Sequence, residues 1–155
     1  MGCHKVANEM RSDIHTRGSS ATETLRDTLQ QNRRGQSVGV FSICSANRYV
    51  LEAGIQQAKR EGTPLLIEST SNQVNQFGGY TGQKPADFAR FVRDLAQAED
   101  FPFEEIVLGG DHLGPHVWRK EPAAQAMAKA CQLVHDSVLA GYAKIHLDAS
   151  MRCAI

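Results

Sequence analysis

The chain has 155 residues, of which 41% are hydrophobic and 22% are charged. This composition is that of a globular domain and excludes a disordered polypeptide. Seventeen basic residues balance seventeen acidic ones, so no basic surface for nucleic acid or for a membrane is expected. No apolar run approaches the ~18 residues of a membrane-spanning helix, and no secretory signal is visible. The four cysteines form no CxxC pair, which favours reduced thiols and a cytoplasmic location.

Helical and strand patterns alternate along the chain after a polar start. Residues 1–20 carry no apolar period and predict a flexible tail. Short apolar runs, typical of strands buried on both faces, predict four strands at 37–44, 64–70, 104–110 and 143–150. Apolar stripes with the helical period predict four helices at 19–35, 47–62, 84–100 and 122–142. The buried stripe predicted for the second helix consists of Val50, Leu51, Ala53, Ile55 and Ala58.

This order, one helix followed by four strands that are joined by three helices, predicts a parallel α/β sheet. Right-handed crossovers place consecutive strands side by side, so we expect the strand order 1-2-3-4. We expect the first helix at the amino-terminal end of the strands. A doubly wound sheet and a (β/α)8 TIM barrel both fit, and both carry function at the carboxyl ends of their strands. A barrel needs ~200–250 residues, so if the fold is a barrel, four strands are half of it and this chain is not all of it.

Polar side chains gather where the predicted strands end. Strand 3 runs into "GGDH", which puts Asp111 and His112 side by side, and strand 2 ends in "EST". In strand 4, Lys144, His146 and Asp148 share one face because side chains alternate with period two. Carboxylates and histidines at such positions are suited to metal binding and proton transfer. The sequence therefore predicts a functional site at this edge of the sheet.

The same residues also have structural interpretations, which the sequence leaves open. Asp111 fits an N-cap or an Asx turn before the glycine–proline turn that follows it. His112 alone fits an ordinary hydrogen-bonded histidine. The other candidates have equally plain alternatives: a satisfied buried pair for His146 and Asp148, a surface position for Glu68, and a small core residue for Cys44.

The loop at 71–85, "SNQVNQFGGYTGQKP", is rich in glycine, asparagine and glutamine. Backbone N–H groups of such loops can bind phosphate. However, "GGYTG" lacks the lysine–serine pair of a P-loop and does not match GxGxxG. A mobile lid or a turn is the alternative that the pattern favours.

Several motifs together resemble one known family. "CSAN", "LLIESTSNQVNQFGGYTGQKPADF", "IVLGGDHLGPHVW" and "GYAKIHLDASMRC" are similar to the non-catalytic (Z-type) subunit of class II D-tagatose-1,6-bisphosphate aldolase. The similarity runs over residues 37–153. The family has a (β/α)8 barrel more than twice as long as this chain, so the resemblance implies that residues 21–155 are the amino-terminal half of a TIM-barrel domain.

The resemblance also implies roles for individual residues. Asp111 and His112 match the Asp-His pair that closes strand 3 in catalytic class II aldolases, as acid/base and zinc ligand respectively. Asp148 matches the carboxylate that closes strand 4. Further metal-binding histidines are expected beyond residue 155, so a divalent metal, Zn²⁺, is expected only in the full-length protein. We assign catalysis to Asp111, Asp148 and Glu68, metal binding to His112, and substrate binding to Ser45, Asn47, Gly78, Gly79 and His146.

Three functional hypotheses follow from the resemblance. In the first, the protein supports the activity and stability of a separate catalytic aldolase subunit in carbohydrate catabolism. In the second, the full-length protein is itself a metal-dependent aldolase or 4-epimerase that acts on a phosphorylated ketose or a uronate by retro-aldol chemistry. In the third, the chain is an inactive fragment. The chain alone is expected to be inactive. Because a half barrel leaves the edges of strands 1 and 4 unpaired, the chain is also expected to associate into oligomers.

Overall fold

The computed structural model of the chain describes residues 20–148, 150 and 152–154. The predicted tail at 1–20 lies outside this range apart from Ser20, which is the first residue of the first helix. Among the described residues, no helix combines the length and the apolar character that crossing a membrane requires.

The described residues form one parallel sheet, with three helices on its outer face and one helix at the amino-terminal ends of its strands. The helices are α1 (Ser20–Arg33), α2 (Arg48–Glu61), α3 (Pro85–Ala98) and α4 (Ala123–Leu139). The strands are β1 (Ser42–Cys44), β2 (Leu65–Thr70), β3 (Ile106–Leu113) and β4 (Lys144–Leu147). Two 3₁₀ turns, Phe103–Glu105 and Pro115–Trp118, flank β3. The sheet order is β1-β2-β3-β4 with all three pairings parallel, which confirms the predicted topology.

Strand β1 is shorter than predicted, because it begins at Ser42 and not at residue 37. Ser42 pairs with Leu66 of β2, so a continued ladder would bring Val40 opposite Pro64. Proline has no N–H group to donate to a ladder. The apolar run therefore extends beyond the part of β2 that can pair with it, and the prediction of a strand from residue 37 was wrong.

The two faces of the sheet bury different kinds of side chain. The outer face packs under α2 and α3 and is apolar, with Leu65, Ile67, Ile106 and Leu108 in its core. The inner face is largely polar towards the carboxyl ends. The strand register aligns four inner-face residues side by side, and we call them the lower row: Cys44, Glu68, Gly109 and Lys144.

The buried face of helix α2 differs from the predicted face at two residues. Its buried residues are Leu51, Gly54, Ile55 and Ala58, spaced i, i+3, i+4 and i+7 as one helical face requires. Val50 is 46% exposed and Ala53 is also exposed, so the prediction was wrong for these two. Each precedes a buried residue by one position, about 100° around the helix.

Helix α1 covers the amino-terminal end of the sheet on its inner side. Ala21 is fully buried against Leu66 and Val107, which are register partners near the starts of β2 and β3. Leu25 and Val40 pack against the same group. The predicted position of this helix is confirmed, and it leaves the carboxyl ends of the strands accessible.

The edges of the sheet lead to a prediction about the isolated chain. Within the described residues, β1 and β4 each pair on one side only. Phe41 beside β1 is 44% exposed and Leu147 at the end of β4 is 65% exposed. Open edges and exposed apolar side chains promote association. We expect the 155-residue chain to form oligomers or aggregates in sedimentation velocity under reducing conditions. A monomer whose sedimentation does not change with concentration would contradict this expectation.

Candidate functional site

Strand β3 changes its local geometry where the candidate site begins. It continues past Gly110 to Leu113, and the register with β4 shifts between these two residues. His112 lies in this shift with a left-handed backbone, φ 52°. A regular strand points consecutive side chains to opposite faces, whereas a bulge redirects them. As a result Asp111 and His112 contact each other, with 3.0 Å between His112 Nδ1 and Asp111 Oδ2.

Strand β4 contributes the third member of this group. His146 Nδ1 lies 2.8 Å from Asp111 Oδ1, and the rings of His112 and His146 are 4.5 Å apart between centroids. One donor atom from each of the three residues lies within 4.8 Å of the others. We call Asp111, His112 and His146 the Asp-His cluster. Because both Asp111 oxygens contact imidazoles, the alternative interpretation of Asp111 as a helix or turn cap was wrong.

Cys44 on β1 completes the surroundings of Asp111. Partial burial by itself raises the pKa of the Asp111 carboxyl. Hydrogen bonds from His146, His112 and Cys44 outweigh this effect and lower the pKa from 3.8 to about 2. Burial, followed by the adjacent Asp111 charge, raises the pKa of the Cys44 thiol to about 11. Asp111 is therefore ionised at neutral pH, and Cys44 is a protonated donor to it.

The lowered pKa of Asp111 makes stability depend on pH. A carboxyl group with a depressed folded-state pKa stabilises the fold above its unfolded pKa, and this contribution is lost as pH falls through the folded pKa. We expect Asp111→Asn to lower the free energy of unfolding at pH 7 by about 1–2 kcal/mol after solvent screening. The difference in the free energy of unfolding between the variant and the wild type should decrease as the pH falls below about 4. Urea unfolding of both proteins between pH 7 and pH 3 measures it, and a difference that stays constant over this range would contradict the assignment.

Glu68 lies in the lower row, on the amino-terminal side of the Asp-His cluster. Its side chain is 5% exposed, so the alternative interpretation as a surface residue was wrong. One carboxylate oxygen accepts a hydrogen bond from Ser42 of β1 and the other pairs with Lys144 of β4. The Glu68–Lys144 ion pair joins β2 to β4 across β3 at Gly109. A Cβ atom at Gly109 would lie 3.1 Å from Glu68 Cγ and 3.3 Å from Lys144 Cδ. A side chain at Gly109 would crowd both members of the pair.

Asp148 follows β4 and has local partners. Its N–H donates to Leu113 O at 3.0 Å, and its carboxylate accepts the N–H of Ser150 at 2.8 Å. Hydrogen bonds from the Ser150 side chain and, second, from its N–H lower the pKa of the Asp148 carboxyl. Gly114 packs directly on the carbonyl oxygen of Asp148, leaving no space for a Cβ atom. The segment after β3 therefore holds the end of β4 close to the Asp-His cluster.

Two of the predicted substrate-binding residues have structural roles at the start of α2. Asn47 is the N-cap, and its side-chain oxygen accepts from the N–H groups of Tyr49 and Val50. Ser45 accepts from the N–H of Asn47 at 3.1 Å. Both residues follow β1 and lie at the carboxyl end of the sheet, but the Asn47 oxygen is already used by the cap.

The loop at 71–85 is held together by its own interior. Asn75 is buried, donates to Ser71 O, and accepts from the N–H groups of Phe77 and Gly79. Gly79 has φ 56°, and a Cβ atom there would overlap the Gln73 backbone. Gly78 also has a positive φ, 104°. These contacts correspond to the turn interpretation of the loop.

Sequence reasoning missed three contributors to this region. Cys44 was interpreted as a core residue, yet it is exposed on the inner face and donates to Asp111. Ser42 and Lys144 were not assigned to the site, yet both bind Glu68. The alternation of Ser42 and Cys44 along one strand was the available signal, since residues two apart share a face.

The fold and this site together define a class of protein. Parallel strands in chain order, helices on the outer face and polar side chains at the carboxyl ends of the inner face are the features of a (β/α)8 barrel, of which this chain covers α1 and the first four strands. The family model for the D-tagatose-1,6-bisphosphate aldolase subunit, GatZ/KbaZ-like, matches residues 25–155. The chain belongs to this family, and the resemblance seen in its motifs is confirmed.

Individual relatives agree with this placement. The chain is 52% identical over 130 residues to the D-tagatose-1,6-bisphosphate aldolase subunit GatZ of Salmonella agona (strain SL483), and equally to that of Salmonella newport (strain SL254). Each match covers 84% of this chain and 31% of the relative, so the chain spans about a third of their length. A crystal structure of a probable tagatose 6 phosphate kinase from Sinorhizobium meliloti 1021 matches with a TM-score of 0.73 and 55% identity, covering 75% of this chain and 30% of that one.

Proposed function

We propose that the chain forms part of a D-tagatose-1,6-bisphosphate aldolase subunit that supports the activity and stability of a separate catalytic subunit. The 52% identity over 130 residues to subunits of that name carries this proposal. Its substrate class is a phosphorylated ketose, and its partner is the catalytic aldolase subunit. A cytoplasmic location fits the free thiols of Cys44, Cys131 and Cys153.

An apolar groove beside the sheet supports assembly with further polypeptide. It has a volume of about 430 Å³. The groove lies between the end of β4 and helix α4, and its lining includes Leu113, Met127, Ala130, Val134 and Leu147. Leu147 is 65% exposed and Met127 is 46% exposed. Apolar surface of this kind is stabilised when another segment or chain covers it.

A chimera tests the supporting role. The Salmonella agona subunit would carry the 130 matching residues of this chain in place of its own. Under the proposal, the chimera co-purifies with the catalytic aldolase subunit and lengthens the half-life of its activity at elevated temperature. A catalytic subunit that neither binds the chimera nor gains stability from it would contradict the proposal. The unmodified Salmonella agona subunit is the matched control.

A second candidate function has its own supporting observation, the Asp-His cluster at the carboxyl ends of β3 and β4. In this candidate the complete barrel is a metal-dependent aldolase or 4-epimerase for a phosphorylated ketose or a uronate. A divalent metal, Zn²⁺, bound through His112 would polarise the substrate carbonyl. In this candidate Asp111 and Asp148 handle the protons, and Glu68 has a different set of contacts, with Ser42 and Lys144 on its two oxygens.

An assay of the chimera alone separates the two candidates. The supporting role predicts no cleavage and no epimer when the chimera is incubated with D-tagatose 1,6-bisphosphate in the absence of the catalytic subunit. The second candidate predicts cleavage products, or a product inverted at C4, that disappear after metal removal. Chromatography of the sugar phosphates measures both outcomes.

A further inference from the structure

We propose that this chain by itself holds a divalent transition-metal ion, with Asp111, His112 and His146 as its three protein ligands. One carboxylate oxygen and two imidazole nitrogens lie within 4.8 Å of one another. This goes beyond the resemblance, which takes only His112 from this half of the barrel and expects the other histidines later in the chain. The inference is independent of the supporting role proposed above.

The spacing of the donors is close to what coordination needs. Bonds of about 2.0–2.2 Å to nitrogen and oxygen place neighbouring ligand atoms about 3.3 Å apart in a tetrahedral site. The two imidazole Nδ1 atoms lie 2.8 Å and 3.0 Å from the two oxygens of Asp111. Both nitrogen–oxygen distances are within about 0.5 Å of that spacing, and no two of the three donor atoms are more than 4.8 Å apart.

The backbone of β3 is shaped to present His112. Side-chain alternation would send His112 to the outer face, opposite to Asp111. The register shift and the left-handed backbone, φ 52°, bring it back to the inner side. A left-handed backbone is uncommon for a residue other than glycine, and such strain persists where the surroundings enforce it, often at functional sites. Here its effect is to bring a third donor to Asp111 and His146.

The surroundings of the cluster fit a site that is open on one side. The side chains of His112 and His146 are 57% and 45% exposed, so an ion can enter and keep a position for water or for a substrate oxygen. Two imidazoles favour Zn²⁺, Co²⁺, Fe²⁺ or Ni²⁺ over Mg²⁺ and Ca²⁺, which prefer oxygen ligands.

Titration with Co²⁺ tests the inference directly on the 155-residue chain, stripped of metal, without an affinity tag and at a concentration where its association state has been measured. We expect visible d–d absorption that saturates at one Co²⁺ per chain and is displaced by Zn²⁺. The loss of an outer-shell partner alone costs ~10–100-fold in affinity, so His112→Ala and His146→Ala should each weaken binding by at least about 100-fold. Circular dichroism confirms that each variant keeps its helices.

The chain offers a matched control in His135 on α4. Its Nδ1 lies 3.3 Å from the Asp136 carboxylate and its side chain is 51% exposed, but this pair is not part of a three-donor group among the described residues. His135→Ala should leave the Co²⁺ affinity unchanged. The inference is overturned if the wild type binds no Co²⁺, if binding survives His146→Ala at full affinity, or if His135→Ala weakens it equally. None of these results changes the expected stabilisation of the catalytic subunit, so the two proposals fail separately.

Discussion

Replacing Lys144 with methionine is expected to lower the free energy of unfolding by about 2–4 kcal/mol, because it leaves a buried carboxylate without its counter-charge. The side chain of Glu68 is 5% exposed, and that of Lys144 is 30% exposed. Ser42 would remain as the partner of one oxygen, which supplies a hydrogen bond but no charge. Urea unfolding at pH 7 measures the loss. The double variant Glu68→Gln with Lys144→Met should recover part of it, since the buried charge is then gone.

A surface ion pair provides the control for this prediction. Lys59 lies 3.3 Å from Asp100, with side chains 46% and 100% exposed. Exposed pairs contribute little because water screens them, so Lys59→Met should leave the unfolding midpoint nearly unchanged. If Lys144→Met and Lys59→Met lowered the unfolding midpoint equally, the buried Glu68–Lys144 pair would contribute no more to stability than an exposed pair, which would contradict the prediction.

Gly114→Ala is expected to be the most disruptive single-methyl change in the segment after β3, with a loss of about 2–4 kcal/mol. The backbone at Gly114 is extended, φ −174°, so any residue could adopt it. The obstacle is the carbonyl oxygen of Asp148, on which the added Cβ atom would fall. Relief of this overlap requires β3 and the end of β4 to separate. Thermal and urea unfolding of the variant measure the cost.

Gly39→Ala is the matched control for the glycine prediction. No atom lies within 4 Å of a Cβ atom at Gly39, and its φ is not in the left-handed region. The substitution should be neutral or stabilise the fold by up to about 1 kcal/mol, because alanine restricts the unfolded chain. If Gly114→Ala changed the free energy of unfolding no more than Gly39→Ala does, this result would contradict the close contact between Gly114 and the carbonyl oxygen of Asp148.

The order of the strands and the edge that carries the site could be predicted from the sequence. Apolar runs and helical stripes alternate, and right-handed crossovers then leave a single parallel order. The same reasoning placed Lys144 and His146 on one face. These predictions succeeded because each depends on the local periodicity of the chain and on general rules of chain connection.

The contacts within the site could not be predicted in this way. The pairing of Asp111 with His112 depends on a register shift at the end of β3, and a period-two pattern puts the two side chains on opposite faces. The Glu68–Lys144 pair lies across Gly109, and this arrangement is a property of three adjacent strands. Both features arise from tertiary geometry and leave no signature in local periodicity.

The aldolase rate of the reconstituted complex tests the central claim most directly. The catalytic subunit would be assayed with the chimera and with the same chimera carrying Asp111→Asn, His112→Ala and His146→Ala. If the chain acts by supporting its partner, the two chimeras raise the rate of the catalytic subunit equally at a temperature at which both are folded. A triple variant that folds and binds the catalytic subunit but lowers its rate by ~10²–10⁴-fold, the range of a lost general acid or base, would contradict the supporting role and place chemistry in the Asp-His cluster.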